Sequence, residues 1–421
     1  MKISPTALVL GMLLQAVSPH AEENTAPEHG TVDLTASSEH GVTEGAPVTD
    51  EGDSTGPEIK PLVWPSVLSD IRALYAMQDA AAAGHHAAAS LQKAMLQQIN
   101  RKLADEIPKV EPNILASGVV GFVLSGGNPM TAELLANQES ISRLHRKLLL
   151  GASFYMRGKR KEAADELAGI DVFMLKPSVA GRVALVKAML ETSDEERQQQ
   201  LLSIAIALMP GSLIEESALR RSALIYAKAG RQREFWQRAD RYIRRFSRSL
   251  YARDFLFDVI GEVVNFEANG RKPDFHQVDL LLGTIRVSNR RGLYLHLARQ
   301  AALANLVGLT EFASHRLLRL SAPGGREAQL ALLYDSIFDV ASDNSERAAV
   351  VLMALDPQIL PSLERKLRSA SLAVVSQIQG YAGTVEIDSG TSSGTVETSE
   401  LLRTAKAEIE RADGVISATL Q

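Results

Sequence analysis

An all-α fold, laid out as an array of helical hairpins, is what this chain of 421 residues predicts. Apolar residues recur three and four positions apart almost throughout from Trp64 to about Tyr381, as in VLSDIRALYAMQDAAAAG, SLQKAMLQQINRKLADEI and ERQQQLLSIAIALMPGS. Glycine and proline interrupt that rhythm where hairpins would turn: Gly84, Pro108, Gly126-Gly127, Pro210-Gly211, Gly230, Gly308 and Pro357. Hydrophobic residues make up 45% of the chain but aromatics only 5%, so alanine and leucine fill the apolar positions, which suits helix-on-helix packing. Alternating strand patterns are nearly absent. ILASGVVGFVL could pass for a buried strand, but its alanine and leucine fit a helix equally well.

Taken in order, residues 1–21 read as a secretory signal. MKISPTALVLGMLLQAVSPHA has one lysine and an apolar run from Ala7 to Val17, too short for a bilayer span of about 20 residues. Cleavage after Ala21 is expected. Residues 22–60 form an acidic leader: ten carboxylates and no lysine or arginine lie between Glu22 and Ile59, among many Gly, Pro, Ser and Thr. Such a composition cannot bury enough apolar surface to offset its conformational entropy, so disorder is expected. Setting Lys2 and the leader apart leaves 44 basic against 40 acidic residues, so the body is slightly basic although the whole chain carries −5. The helical array occupies 61–382, a flexible Gly/Ser/Thr linker 383–399 and a C-terminal helix 400–413.

Within the array, KLLLGASFYMRGKRKEAADEL explains its own small residues. In the tetratricopeptide pattern a leucine-glycine pair and an aromatic lie on one helix, and an alanine with a large apolar residue four positions later lies on the next. Leu150, Gly151 and Phe154 fill the first set; Ala163 and Leu167 fill the second, with Gly158 as the turn. Short side chains are needed there because antiparallel helices approach closely only where little projects between them. Lys147 holds the tryptophan position and Pro177 comes two residues late, so the repeat is degenerate. Further copies are read at Gly230 and Gly308, with Ala301, Ala313 and Leu317 in register for the latter, and at SDNSERAAVVLMALDPQIL.

Chemistry-bearing patterns are sparse. The absence of cysteine excludes disulfides, thiol catalysis and cysteine-ligated metals. GTSSG at 390–394 satisfies G-x-S-x-G formally, but a Gly/Ser/Thr-rich linker cannot hold a nucleophile elbow. SGGNP at Ser125–Pro129 lacks the lysine of a phosphate loop and reads as a helix cap and turn. His85-His86, at the expected end of an alanine-rich helix, point to different sides and do not form a metal pair. No catalytic residue, cofactor or metal is therefore expected. One stretch is unusual. Eleven basic residues and two acidic ones, Glu234 and Asp240, lie between Arg220 and Arg253. On a helix from Glu234 to Arg248, Phe235, Ala239, Tyr242 and Phe246 form an apolar stripe, and Arg238, Arg241, Arg245 and Arg248 fall together beside it. A solvated face accounts for that pattern; so does a docking surface for an acidic protein, the chain's own leader or an anionic wall polymer. If they meet an acidic partner, reversing all four to glutamate is expected to weaken binding strongly while helix content and melting temperature change little.

WPSVLSDIRALYAMQDAAAAGHHAAASLQKAML, GVVGFVLSGGNP, the hairpin around Gly158, the run LMPGSLIEESALRRSALIYAKAGRQREFWQRADRYIRRFSRSLYA and GLYLHLARQAALANLVGL resemble the MotC family. That family comprises periplasmic motility proteins of rhizobia and related α-proteobacteria. The resemblance runs from Trp64 to about Leu318, with VLSGGNP and PGSLIEESALRR as its most specific parts. It implies a non-enzymatic protein of the periplasm, close to peptidoglycan. It also implies binding to the periplasmic domain of the stator protein MotB in support of flagellar rotation. No nucleic acid and no membrane span in the mature chain are expected. A helical-repeat scaffold of the cell envelope, unrelated to the motor, is the alternative reading of the same pattern.

Overall fold

The computed structural model describes residues 65–379, and these are helical throughout, with no strand among them. The expected signal peptide, acidic leader, linker and C-terminal helix lie outside the described residues, as does GTSSG. The chain opens with α1 (Ser66–Ala82), α2 (His86–Glu106), α3 (Pro112–Leu124) and α4 (Pro129–Ala136). It continues with α5 (Arg143–Met156), α6 (Arg160–Leu167), α7 (Pro177–Leu190) and α8 (Glu195–Leu208). The middle holds α9 (Leu213–Lys228), α10 (Gln232–Phe246), α11 (Ala252–Ala268) and α12 (Phe275–Gly283). Then come α13 (Val287–Leu303), α14 (Val307–Leu320), α15 (Arg326–Ser336), α16 (Ser345–Ala354) and α17 (Ser362–Gln379). ILASGVVGFVL is the helix α3, buried from Val119 to Leu124.

Local chemistry sets these boundaries. Pro112, Pro129 and Pro177 sit in the first helical turn, where a missing N–H is harmless. Ser142, Asp194, Ser212 and Asp274 accept hydrogen bonds from the first free N–H groups of α5, α8, α9 and α12. At the opposite ends, Gly158 and Gly230 take positive φ (75° and 72°), and the residue after each donates back to a carbonyl of the preceding turn, Lys159 to Phe154 and Arg231 to Tyr226. Between α13 and α14 the same bond runs from Leu306 to Ala301, but the left-handed residue is Asn305 (φ 58°). Gly308 lies inside α14, so the turn expected there falls three residues earlier. Asparagine fills the slot that glycine holds elsewhere, because its short polar side chain tolerates that conformation.

Helices pack as antiparallel neighbours: α1 with α2, α5 with α6, α7 with α8, α9 with α10 and α13 with α14. Successive pairs then stack through α7, α9, α11, α13 and α15. In the α5–α6 hairpin a Cβ built on Gly151 would lie 2.6 Å from Leu167 Cγ, and Ala163 is fully buried. The small residues are there to let the two helices close. One continuous apolar core runs from Val67 to Tyr334, and a smaller one under α16 and α17 contains Leu333, Leu352, Leu355 and Val375.

Candidate functional site

A cluster of buried charged residues lies where α9 begins, with Glu215, Glu216 and Arg220 among its members. Pro210 and Gly211 turn the chain, and Ser212 Oγ accepts from the N–H groups of Ile214 and Glu215. Glu215 reaches back to accept from Gly211 N at 2.7 Å. This is a reciprocal cap of the S-x-x-E kind, displaced by one residue. A third acceptor comes from far along the chain: Asp79 of α1 takes the Leu213 N–H at 2.9 Å. Burial pushes the Asp79 carboxyl up, while this bond and Arg182 pull it down.

Glu215 is fully buried, and two arginines of α10 meet it, Arg241 at 2.8 Å and Arg245 at 3.0 Å. Next to it Glu216, also fully buried, accepts from the Tyr242 hydroxyl at 2.5 Å and stands 3.6 Å from Arg220. Burial raises the Glu216 carboxyl and the Tyr242 phenol. Arg220 lies over the Tyr251 ring at 5.5 Å. Asp258 on α11 is pushed up to about 7, chiefly by burial, with Asp254 and Glu262 adding to the rise and Arg220 opposing it. Two adjacent carboxylates thus bind α9 to α10 with opposite surroundings. One is held by two half-exposed guanidinium groups, the other by a phenol and a buried arginine.

The expected apolar stripe is in place: Phe235, Ala239, Tyr242 and Phe246 are all buried, and Trp236 and Ile243 widen it. The arginines beside it divide. Arg238 donates to Ser203 of α8 at 3.0 Å, and Arg241 and Arg245 clamp Glu215. Arg248 is exposed beyond the last residue of α10, which ends at Phe246 rather than carrying on to 248. A carboxylate at 241 or 245 would face a buried carboxylate, so those two cannot be reversed without loss of stability. Sequence reasoning missed Glu215, Glu216 and Asp79. The first was within reach, since Ser212-x-x-Glu215 is a capping pattern.

Ser125–Pro129 is the cap and turn expected of it, with Gly126 at φ 102° and Asn128 Oδ1 accepting from Met130 N. His85 precedes the first residue of α2 rather than closing α1. Among the described residues no group of three or more His, Asp or Glu is placed to hold a metal, and no helix is long and apolar enough to cross a membrane.

Fold and site together define an all-helical array whose buried charges serve helix-to-helix register. Residues 28–418 match the family described as Chemotaxis protein MotC, and the chain belongs to that family. The match takes in the leader and most of the tail, beyond the segments that carry the resemblance in the sequence. Chemotaxis protein MotC of Rhizobium meliloti (strain 1021) is 30% identical over 316 residues, which cover 73% of this chain and 71% of that protein. No solved structure matches.

Proposed function

We propose that this is an exported motor protein that binds the periplasmic part of the stator protein MotB and is required for flagellar rotation. Membership of the chemotaxis family over residues 28–418 is the observation that supports it most directly. The N-terminal sequence adds a signal-like run, residues 1–21, which directs the chain to the periplasm and is then removed. An array of helical hairpins suits this role physically, since stacked hairpins offer broad, rigid surfaces to another protein. Function then rests on contact rather than chemistry, and the arginine-rich end of α10 belongs to the contact surface.

Deleting the gene tests the reading. Filaments are expected to assemble normally but fail to turn, because a protein acting on the stator is needed after the filament is built. Cells without filaments would place it in assembly and overturn the proposal. Fractionation adds a second check: the mature chain should start near Glu22 in the soluble periplasmic fraction, and a full-length cytoplasmic product would defeat the export step.

A further inference from the structure

Two parts of the chain that carry no carboxylate meet on the surface of the array. From Ala80 to Ala104 there is no acidic residue, and this stretch holds His85, His86, Lys93, Arg101 and Lys102. From Arg241 to Arg253 there is again none, against five arginines. Gly84 joins the two. It closes α1 at φ 103°, and a Cβ built on it would lie 2.7 Å from Arg248 Cβ and 2.8 Å from the Arg248 carbonyl oxygen. The α1–α2 turn is therefore seated directly on the turn that follows α10, and only a glycine allows that approach.

His85, His86, Arg245 and Arg248 are exposed at this seam, with Ala83 and Ala87 exposed beside the histidines. Arg248, His85 and His86 have no side-chain partner among the described residues. The Arg248 charge is therefore not spent on the framework, unlike those of Arg241 and Arg245, which are committed to Glu215. The backbone geometry is fixed on both sides: His85 N donates to Ala80 O at 2.9 Å, and Ser249 N to Phe246 O at 2.9 Å.

From this juxtaposition we infer that the seam between the α1–α2 turn and the end of α10 is a docking surface for an acidic segment of a partner protein. Arginines and imidazole rings around a small floor of alanine match a protein surface, where charge orients and polar and small apolar contacts seat the partner. A flexible anionic polymer would use the charge alone. The proposal deepens the MotB reading by naming a surface and the charge of the segment it takes.

The test compares three full mature chains: wild type, the triple variant His85→Glu, His86→Glu, Arg248→Glu, and a remote control, Lys161→Glu, Arg326→Glu, Lys366→Glu. The triple variant leaves Glu215 and its arginines untouched, so its melting temperature should stay close to wild type. The control makes the larger change in net charge at exposed sites elsewhere. Each is titrated with the purified periplasmic region of MotB, with poly-L-glutamate and with isolated peptidoglycan sacculi. Wild type should bind the MotB region with affinity that falls as salt rises towards physiological, where the Debye length is about 8 Å. The triple variant should bind roughly tenfold or more weakly, and the control as wild type does. If wild type ignores MotB but holds poly-L-glutamate through the seam, the surface stands and the MotB reading falls. Equal behaviour of triple variant and wild type towards both polypeptides, bound or unbound, overturns the surface. Seam-dependent binding to sacculi without binding to either polypeptide overturns it too, as a wall-polymer site.

Discussion

The α9–α10 pair and the α16–α17 pair are both antiparallel hairpins, yet different forces hold them. In the first, buried carboxylates are met by named partners, and large aromatic residues, Phe235 and Tyr242, are fully covered. In the second, a small apolar cluster is joined by one cation, Arg368 of α17, which donates to the Leu352 carbonyl at the end of α16 at 2.7 Å, and among the described residues no carboxylate is paired between the two helices. Val350 and Met353 of α16 remain 64% and 61% exposed, so much of that helix's apolar surface adds nothing to its stability. Apolar contact tolerates sliding, whereas a carboxylate between two guanidinium groups does not. Paired charge therefore sets register in the middle, whereas the last hairpin relies on shape and on the single Arg368 contact to the end of α16.

The comparison breaks most sharply at Glu215. Replacing Arg241 and Arg245 together by alanine leaves a buried carboxylate without a cationic partner, and a loss of about 3–5 kcal/mol is expected in urea titration. Adding Glu215→Gln should recover much of that loss; a double variant within 1 kcal/mol of wild type would show the clamp to be idle. Leu352→Ala in the small core should cost about 2–4 kcal/mol. Because that core is nearly separate, faster amide exchange should be confined to α15, α16 and α17. Exchange that also quickens in α9 would merge the two regions. Gly151→Ala sets a methyl 2.6 Å from Leu167 Cγ and should cost about 1–3 kcal/mol by overpacking. Leu167→Ala in the same chain should restore part of this, since the neighbour that must give way is then gone.

Per unit of pH the change is smaller still, and it takes the form of a slope. Asp258 has a folded-state pKa raised to about 7, above that of an unfolded aspartate near 3.9, so the folded chain holds its proton more tightly. This contribution to stability is fully present only below the unfolded value. It is lost as pH rises from about 4 to about 7, at less than the one-proton limit of about 1.4 kcal/mol per unit because solvent screens this partly exposed group. Asp258→Asn should flatten that part of the denaturant-midpoint profile. An unchanged slope would assign it to another group.

Periodicity made the all-α class legible, and turn chemistry located most of the hairpins, because both depend on neighbours within a few residues. Phe235, Ala239, Tyr242 and Phe246 were readable as a buried stripe for the same reason. Gly308 misled because Asn305 takes the left-handed slot without being a glycine. The arginines of α10 misled more. On a helical wheel Arg241 and Arg245 look like solvated charge, and nothing local announces that Glu215, far back in the chain, waits beneath them. The meeting of Gly84 with Arg248 has no sequence signal at all. Spacing rules describe one element at a time, and side chains that meet across facing helices or across separate hairpins lie beyond them.

Asp79 has a consequence for how the array comes apart. An array in which each unit touches only its neighbours can be shortened from an end, and the remainder scarcely registers the loss. Here α1 reaches past its neighbours to α9, and the Leu213 N–H at the start of α9 depends on a carboxylate that folds 134 positions earlier. A chain shortened to begin at α2 would open a helix end in its own middle. Unfolding should then pass through α1 and α9 as one cooperative step, with amides at the start of α9 exchanging no later than those of α1.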